Sequence, residues 1–220
     1  EKSNDDVRAT DIEIREGFAH FDLVTSFGRE SVALRQAGRH QVANALAAAG
    51  IATAFNMPID KISAGLSTAE NSSKWRMELH EIAGRLIIND SYNANPESME
   101  AALRTLVLLS QERGGRSWAF LGTMHELGPS AAQMHEEIGK LAVELGIDHL
   151  VAIGNQDYLR GLKDSSTVTH YFGSVKDAES MISEFEPGDV ILVKASRAEH
   201  LEHLAESITQ SWKLNEGEMQ

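Results

Sequence analysis

From position 75 onward the chain repeats one pattern: a short apolar run, a polar turn, then a longer stretch with helical spacing. Strand-like runs fall at 75–82, 84–89, 116–121, 148–153, 168–172 and 189–193, and helix-like stretches at 96–112, 130–145, 155–162, 174–185 and 197–212. Trp118-Ala119-Phe120-Leu121, Leu150-Val151-Ala152-Ile153 and Val190-Ile191-Leu192-Val193 are continuously apolar. That is the pattern of strands covered on both faces, hence of a mostly parallel sheet. The link between 75–82 and 84–89 is too short for a parallel crossover and predicts an antiparallel hairpin. Ser130 with Gln133 spells a capping box, Gly146 closes that helix, and Ser174 with Asp177 repeats the start signal more weakly. Asn95 suits an N-cap and Pro96 the first helical position.

Residues 1–36 follow a different rhythm. Asp11 to Arg15 alternates polar and apolar, as do parts of 18–25 and 31–35, with Gly17 and Gly28 as turns. This predicts a small antiparallel unit. Gly38 then opens a helix over 39–55 with Val42, Leu46 and Ile51 on its apolar side, and Pro58 starts a second helix ending near Gly65. The stretch 67–74 has no periodicity and reads as a linker, which divides the chain into domains at 1–74 and 75–220. The fold class is α/β.

Composition narrows the partners. The 220 residues are 42% hydrophobic, enough for a substantial core. A net charge of −13 argues against nucleic-acid binding, which needs a basic surface, but leaves a nucleotide ligand open. The absence of cysteine excludes disulfides, thiolate chemistry and sulfur-ligated zinc, and fits a cytoplasmic protein. No apolar run approaches a membrane span, and no signal peptide is visible. The chain opens at Glu1 without Met, which implies processing or excision from something longer.

Each apolar strand of the second part ends in a polar segment: Asp90 to Asn95, Gly122 to Gly128, Gly154-Asn155-Gln156, and Lys194-Ala195-Ser196-Arg197. In a parallel sheet these ends share one edge, where ligands bind. A carboxylate such as Asp90 can take a ribose diol there, and the amides of Asn93 and Asn95 can hold polar substrate groups. The same turn also reads as a plain strand-to-helix connection. His40 and Asn44, four residues apart, share a helix face that could clamp a heteroaromatic base or simply be exposed. Arg76 is either a phosphate ligand or a surface arginine. His200 and His203 flank Glu202 at helical spacing as in a metal site, but a solvated helix face explains them better. His125 and His135 have no third ligand at a recognisable spacing. The sequence holds no G-x-x-x-x-G-K-[ST] loop, no G-x-G-x-x-G after a strand and no nucleophile elbow.

Four segments carry a family likeness: Gly38-Arg39-His40-Gln41-Val42-Ala43-Asn44 through Ala49, Asn89 to Pro96 with Ser98, Leu121-Gly122-Thr123-Met124-His125-Glu126-Leu127-Gly128, and Val193-Lys194-Ala195-Ser196-Arg197. In these the chain resembles the Mur ligases of peptidoglycan synthesis, and among them the type that adds D-alanyl-D-alanine to UDP-N-acetylmuramoyl-tripeptide. The resemblance implies that 75–220 is a Rossmann-like carboxyl-terminal domain. Residues 1–74 would be the end of a central ATPase domain, with the P-loop and the UDP-binding domain before Glu1. It implies ATP-dependent amide-bond formation through an acyl phosphate, in a cytoplasmic monomer, with Mg2+ held mainly by the preceding portion. The isolated chain is then expected to be inactive.

By the same resemblance, Asn44 and His40 meet adenine, Arg76 reaches the ATP phosphates or ribose, and Asp90 binds the ribose hydroxyls. Tyr92, Asn93 and Asn95 line the junction of ATP and incoming dipeptide, and Ser196 and Arg197 hold the dipeptide. No residue here is assigned a covalent catalytic role. The chain departs from the family pattern at Gln41 (commonly Asn), Thr123 (commonly Asp) and Ala195 (commonly Gly). The alternatives are another ligase of the superfamily, such as a folylpolyglutamate synthase or a different amino-acid-adding Mur ligase, and a non-catalytic Rossmann-like binding module.

Overall fold

The computed structural model describes residues 6–70, 73–162 and 165–218. Residues 1–5 and the Asn71–Ser72 part of the expected linker lie outside them. The chain divides into two compact units, Glu1–Ser72 and Ser73–Gln220.

In the first unit β1 (Arg8–Arg15), β2 (Phe18–Thr25) and β3 (Gly28–Ala37) form the antiparallel sheet that the alternation predicts, in the order β1-β2-β3. Strand β2 shows why: Ala19, Phe21 and Leu23 are buried while the residues between them are half-exposed. A register shift between Thr10 and Glu13 places Asp11 at φ 53°, a left-handed conformation that a short polar side chain tolerates. Helices α1 (Gln41–Ala54) and α2 (Ile59–Thr68) complete a core of Phe21, Leu23, Val32, Val42, Ala45, Ala49 and Ile62. The inward face of α1 is therefore Val42, Ala45 and Ala49. Leu46 is only half-buried, and Ile51, expected on the apolar side, is 65% exposed. Helix α2 also continues past Gly65 to Thr68, so the unpatterned stretch begins inside a helix.

The second unit contains, in chain order, β4 (Glu78–Ile82), β5 (Arg85–Asp90), α3 (Pro96–Arg113), β6 (Ser117–Leu121), α4 (Ala131–Glu144), β7 (His149–Ile153), β8 (Val168–Phe172), α5 (Val175–Ala178), β9 (Val190–Lys194) and α6 (Glu202–Glu218). The sheet order is β4-β5-β9-β6-β7-β8, antiparallel between β4 and β5 and parallel elsewhere. Ala83 and Gly84 close the hairpin, both at positive φ (51° and 73°), as a two-residue connection between right-twisted strands requires. One sheet face, with Ile87, Trp118, Phe120, Ile191 and Val193, packs on Leu201, Leu204, Ala205, Ile208 and Trp212 of α6 and its approach. Helix α3 packs on β9, β6 and α4, and strand alternation turns Ile88, Leu192 and Ala119 to that other side.

The ends of several elements differ from the sequence reading. Strand β4 starts at Glu78 because Trp75 and Met77 sit at positive φ (60° and 48°), which interrupts an extended run. The stretch 155–162 holds only a 3₁₀ turn, Gln156–Leu159, and 174–185 splits into α5 and a second 3₁₀ segment, Glu179–Glu184. Helix α6 starts at Glu202, since His200 at φ 54° breaks the chain after a 3₁₀ turn over Arg197–Glu199. Ser130 makes no side-chain cap, and the Gln133 amide bonds Glu137 instead. The Asn95 and Ser174 caps form as the sequence predicts.

Candidate functional site

The carboxyl ends of β5 and β9 are neighbours. Strand β5 leaves toward α3 on one face of the sheet and β9 toward α6 on the other, which is the arrangement that opens a crevice at a topological switch point. Asp90 and Lys194 are register partners there. The Lys194 Nζ donates to Asp90 Oδ2 at 2.6 Å and to the Asn93 carbonyl at 2.8 Å. The other oxygen, Asp90 Oδ1, accepts the Met77 N–H at 3.1 Å. Lys194 is 1% exposed, and burial lowers its pKa from the ordinary lysine value while the Asp90 charge acts against that shift.

The turn after β5 is fastened at several points. Asn89 Oδ1 accepts the Ser91 hydroxyl at 2.7 Å, and the Tyr92 N–H donates to the Trp75 carbonyl at 3.0 Å. Asn95 spends its side-chain oxygen on the cap of α3, accepting the Ser98 N–H at 2.8 Å, which leaves its amide N–H groups for other partners. Tyr92 and Asn93 project outward, both exposed. Two guanidiniums lie on aromatic faces at this rim: Arg76 is 4.2 Å from the Tyr92 ring centroid, and Arg197 is 4.2 Å from that of Trp75. Arg197 is also ion-paired to the buried carboxylate of Glu202. Burial pushes the Glu202 pKa up, but the hydrogen bonds from Arg197, its own backbone N–H and His200 outweigh this and leave it below the ordinary glutamate value.

Ser196 ties three strand-end loops together. Its hydroxyl accepts the His125 N–H at 2.9 Å and points at the Ala94 carbonyl at 3.5 Å, while its own N–H donates to the Thr123 carbonyl at 3.1 Å. The loop after β6 is held from below as well. The Tyr158 hydroxyl donates to the Gly122 carbonyl at 2.7 Å, and His135 Nε2 accepts the Met124 N–H at 2.9 Å. His135 is therefore a fully buried structural imidazole. His125 pairs with Glu199 at 2.5 Å across the two loops. A side chain at Gly122 would stand 2.7 Å from Ala195 Cβ, so the alanine at 195 makes glycine necessary at 122.

The remaining candidates lie in the first unit. His40 occupies the N-cap position of α1 without capping it, and Asn44 donates to Gln41 Oε1 at 2.9 Å. Asn44 borders a cavity of about 160 Å³ with Gln41, Arg35, Ala48 and Leu66 among its other walls. The structure thus gathers Arg76, Asp90, Tyr92, Asn93, Asn95, Ser196 and Arg197 in the second unit, and His40 and Asn44 in the first. His200, Glu202 and His203 bring their donor atoms within 4.8 Å of one another, but the carboxylate is already paired with Arg197.

Sequence reasoning gave Lys194 no role of its own. A signal was present: a lysine closing a strand that is apolar on both faces must be neutralised from a neighbouring strand. Trp75 and Glu202 as partners of Arg197, and Glu199 as the partner of His125, had no such signal, since each pairing depends on loop geometry.

A family model described as Mur ligase, glutamate ligase domain, matches residues 75–197. The UDP-N-acetylmuramoyl-tripeptide–D-alanyl-D-alanine ligase of Mycobacterium tuberculosis (strain ATCC 25618 / H37Rv) is 34% identical over 210 residues, covering 86% of this chain and 41% of the relative. The protein of the same name from Escherichia coli (strain K12) is 30% identical, covering 95% of this chain and 46% of its own length. A crystal structure of MurF from Acinetobacter baumannii superposes with a TM-score of 0.84 at 34% identity, over 95% of this chain and 46% of that one. The chain therefore spans less than half the length of these relatives.

Proposed function

The chain belongs to the Mur ligase family, and from that membership we propose that it is the carboxyl-terminal portion of an ATP-dependent ligase joining D-alanyl-D-alanine to UDP-N-acetylmuramoyl-tripeptide. One observation supports this most directly. The Asp90–Pro96 turn sits at the β5/β9 switch point with its carboxylate held by a buried ammonium, in a chain 34% identical to a ligase of that name. On this reading residues 1–74 close a central ATPase domain, residues 75–220 form the Rossmann-like domain, and the ligase works in the cytoplasm as a monomer. No helix among the described residues is long and apolar enough to cross a membrane.

The reaction transfers the γ-phosphoryl group of ATP to the tripeptide carboxylate. The dipeptide amine then attacks the acyl carbon, the bond to phosphate breaks, the amine loses its proton, and amide, ADP and phosphate result. This chain contributes positioning and charge rather than a nucleophile. Asp90 keeps lone pairs beyond those used by Lys194 and Met77, and these accept the ribose hydroxyls. Arg76 meets the phosphates, and Asn44 with His40 meets the adenine. Tyr92, Asn93 and the Asn95 amide line the junction with the dipeptide, which Ser196 and Arg197 hold.

Mg2+ accompanies ATP in this scheme, and the cluster of three metal-type donors found among the described residues does not suit it. Mg2+ prefers oxygen ligands, whereas the His200–Glu202–His203 group supplies two imidazoles and a carboxylate engaged by Arg197.

The test is ADP release by the enzyme expressed from the complete reading frame, with UDP-N-acetylmuramoyl-tripeptide and D-alanyl-D-alanine both present or singly omitted. The expected result is release that requires both, with the pentapeptide product seen by mass spectrometry. Release driven by glutamate or another single amino acid, and not by the dipeptide, would overturn the substrate assignment. The 220-residue chain alone, which carries no P-loop motif, is expected to release no ADP.

A further inference from the structure

Lys194 is too deeply buried, at 1% exposure, to meet a ligand itself. Its two hydrogen bonds nevertheless run to the two halves of the candidate site: Asp90 on the nucleotide side and the Asn93 carbonyl on the acceptor side. Resting on the ligase reading above, we propose that Lys194 is a positioning residue that locks the ribose-binding carboxylate and the dipeptide-facing turn to one buried cation.

Three observations carry this. The pairing is built into the sheet, because Asp90 and Lys194 are parallel register partners although 104 residues apart in sequence. The Asp90 carboxylate is held at both oxygens, Oδ1 by the Met77 N–H and Oδ2 by Lys194, so its plane is fixed before any ligand arrives. The Asp90 side chain is 12% exposed where Lys194 is 1% exposed, so a ligand reaches the carboxylate and not the ammonium. A compact ammonium with three donors suits this role, since one point charge bonds a carboxylate and a carbonyl that diverge in direction. Removing it leaves a buried carboxylate without its cation, free to turn or to take up a proton.

The experiment is a mutant cycle in the complete ligase with Lys194→Met, Asp90→Asn and the two combined, reading KM for ATP, KM for D-alanyl-D-alanine and kcat separately. Asp90→Asn is expected to raise KM for ATP about tenfold. In that background Lys194→Met is expected to change KM for ATP by less than twofold, because the carboxylate through which it acts is already gone. The same addition should still raise KM for the dipeptide severalfold, through the freed Asn93 carbonyl. The combined variant buries no unpaired charge, so the comparison survives if Lys194→Met alone does not fold. Effects on KM for ATP that multiply across the cycle, or a dipeptide KM that does not respond, would overturn the proposal while leaving the ligase reading intact. A wild-type enzyme with no dipeptide-dependent ADP release would instead refute the reading itself, and this role for Lys194 with it.

Discussion

Asp189 stands at the other edge of the sheet, immediately before β9, and its carboxylate gathers five hydrogen bonds. Its 2%-exposed carboxylate accepts from the Arg116 N–H (3.0 Å), Arg116 Nε (3.1 Å) and Nη2 (2.7 Å), the Trp118 indole (3.1 Å) and the Glu186 N–H (2.9 Å). Burial pushes its pKa up, but the Arg116 side chain and the backbone donors more than compensate and hold it below the ordinary aspartate value. Asp189→Asn keeps the shape and removes the charge. Breaking a fully buried pair costs roughly 3–5 kcal/mol, and Arg116 is 35% exposed, which places this pair at about 3 kcal/mol. A domain of this size loses about 2–4 °C per kcal/mol, so the melting temperature should fall by about 6–12 °C at neutral pH. Thermal denaturation followed by circular dichroism measures this. Because the folded pKa is depressed, the stabilisation is complete above the unfolded value and disappears as pH falls through the folded one, so the two melting temperatures should begin to approach each other below about pH 4 and converge only once pH is below the depressed folded value. A drop under about 2 °C at neutral pH, or a difference that persists in acid, would refute the reasoning. On the ligase reading, KM for ATP of the complete protein should not move, since Asp189 lies at the amino edge.

Three further outcomes follow from named contacts. Asn95→Ala removes the reciprocal cap with Ser98 and should cost about 1 kcal/mol of stability, read from the shift of the urea denaturation midpoint. Gly139→Ala should disrupt folding far more, because its new Cβ would stand 1.8 Å from the Tyr158 carbonyl oxygen; thermal melts of the purified variant would show this, and a wild-type melting temperature would contradict it. His149, stacked on Trp118 at 3.6 Å, is held below the ordinary histidine pKa of 6.5 by burial first and then by Arg116 and His170, with Asp148 and Asp189 opposing. The folded protein therefore resists protonation there. Stability should decline as pH drops below about 6.5 toward the lower folded value, and His149→Phe should flatten that limb of a urea titration between about pH 5 and 7.5.

The sequence alone determined the strands, the longer helices and the edge on which polar residues would gather, but not the short 3₁₀ segments within 155–162 and 174–185. Continuous apolar runs specify strands covered on both faces, Asn95-Pro96 specifies a helix start, and the alternation in 11–15 and parts of 18–25 and 31–35 specifies a small antiparallel sheet. These signals are legible because each depends on neighbours a few residues away. Helix ends were less so: Ile51 has the spacing of a core residue but faces out, because alanines at 45 and 49 already fill the contact with the sheet. His200 breaks what periodicity reads as one helix over 197–212. What only the tertiary structure decided is where β9 inserts. Its place between β5 and β6 brings Lys194 against Asp90 and Ser196 against the loops after both neighbouring strands, and no local pattern encodes that choice. Strand order is settled by which arrangement covers both faces of the sheet and neutralises a buried lysine together, and such a balance exists only in the assembled fold.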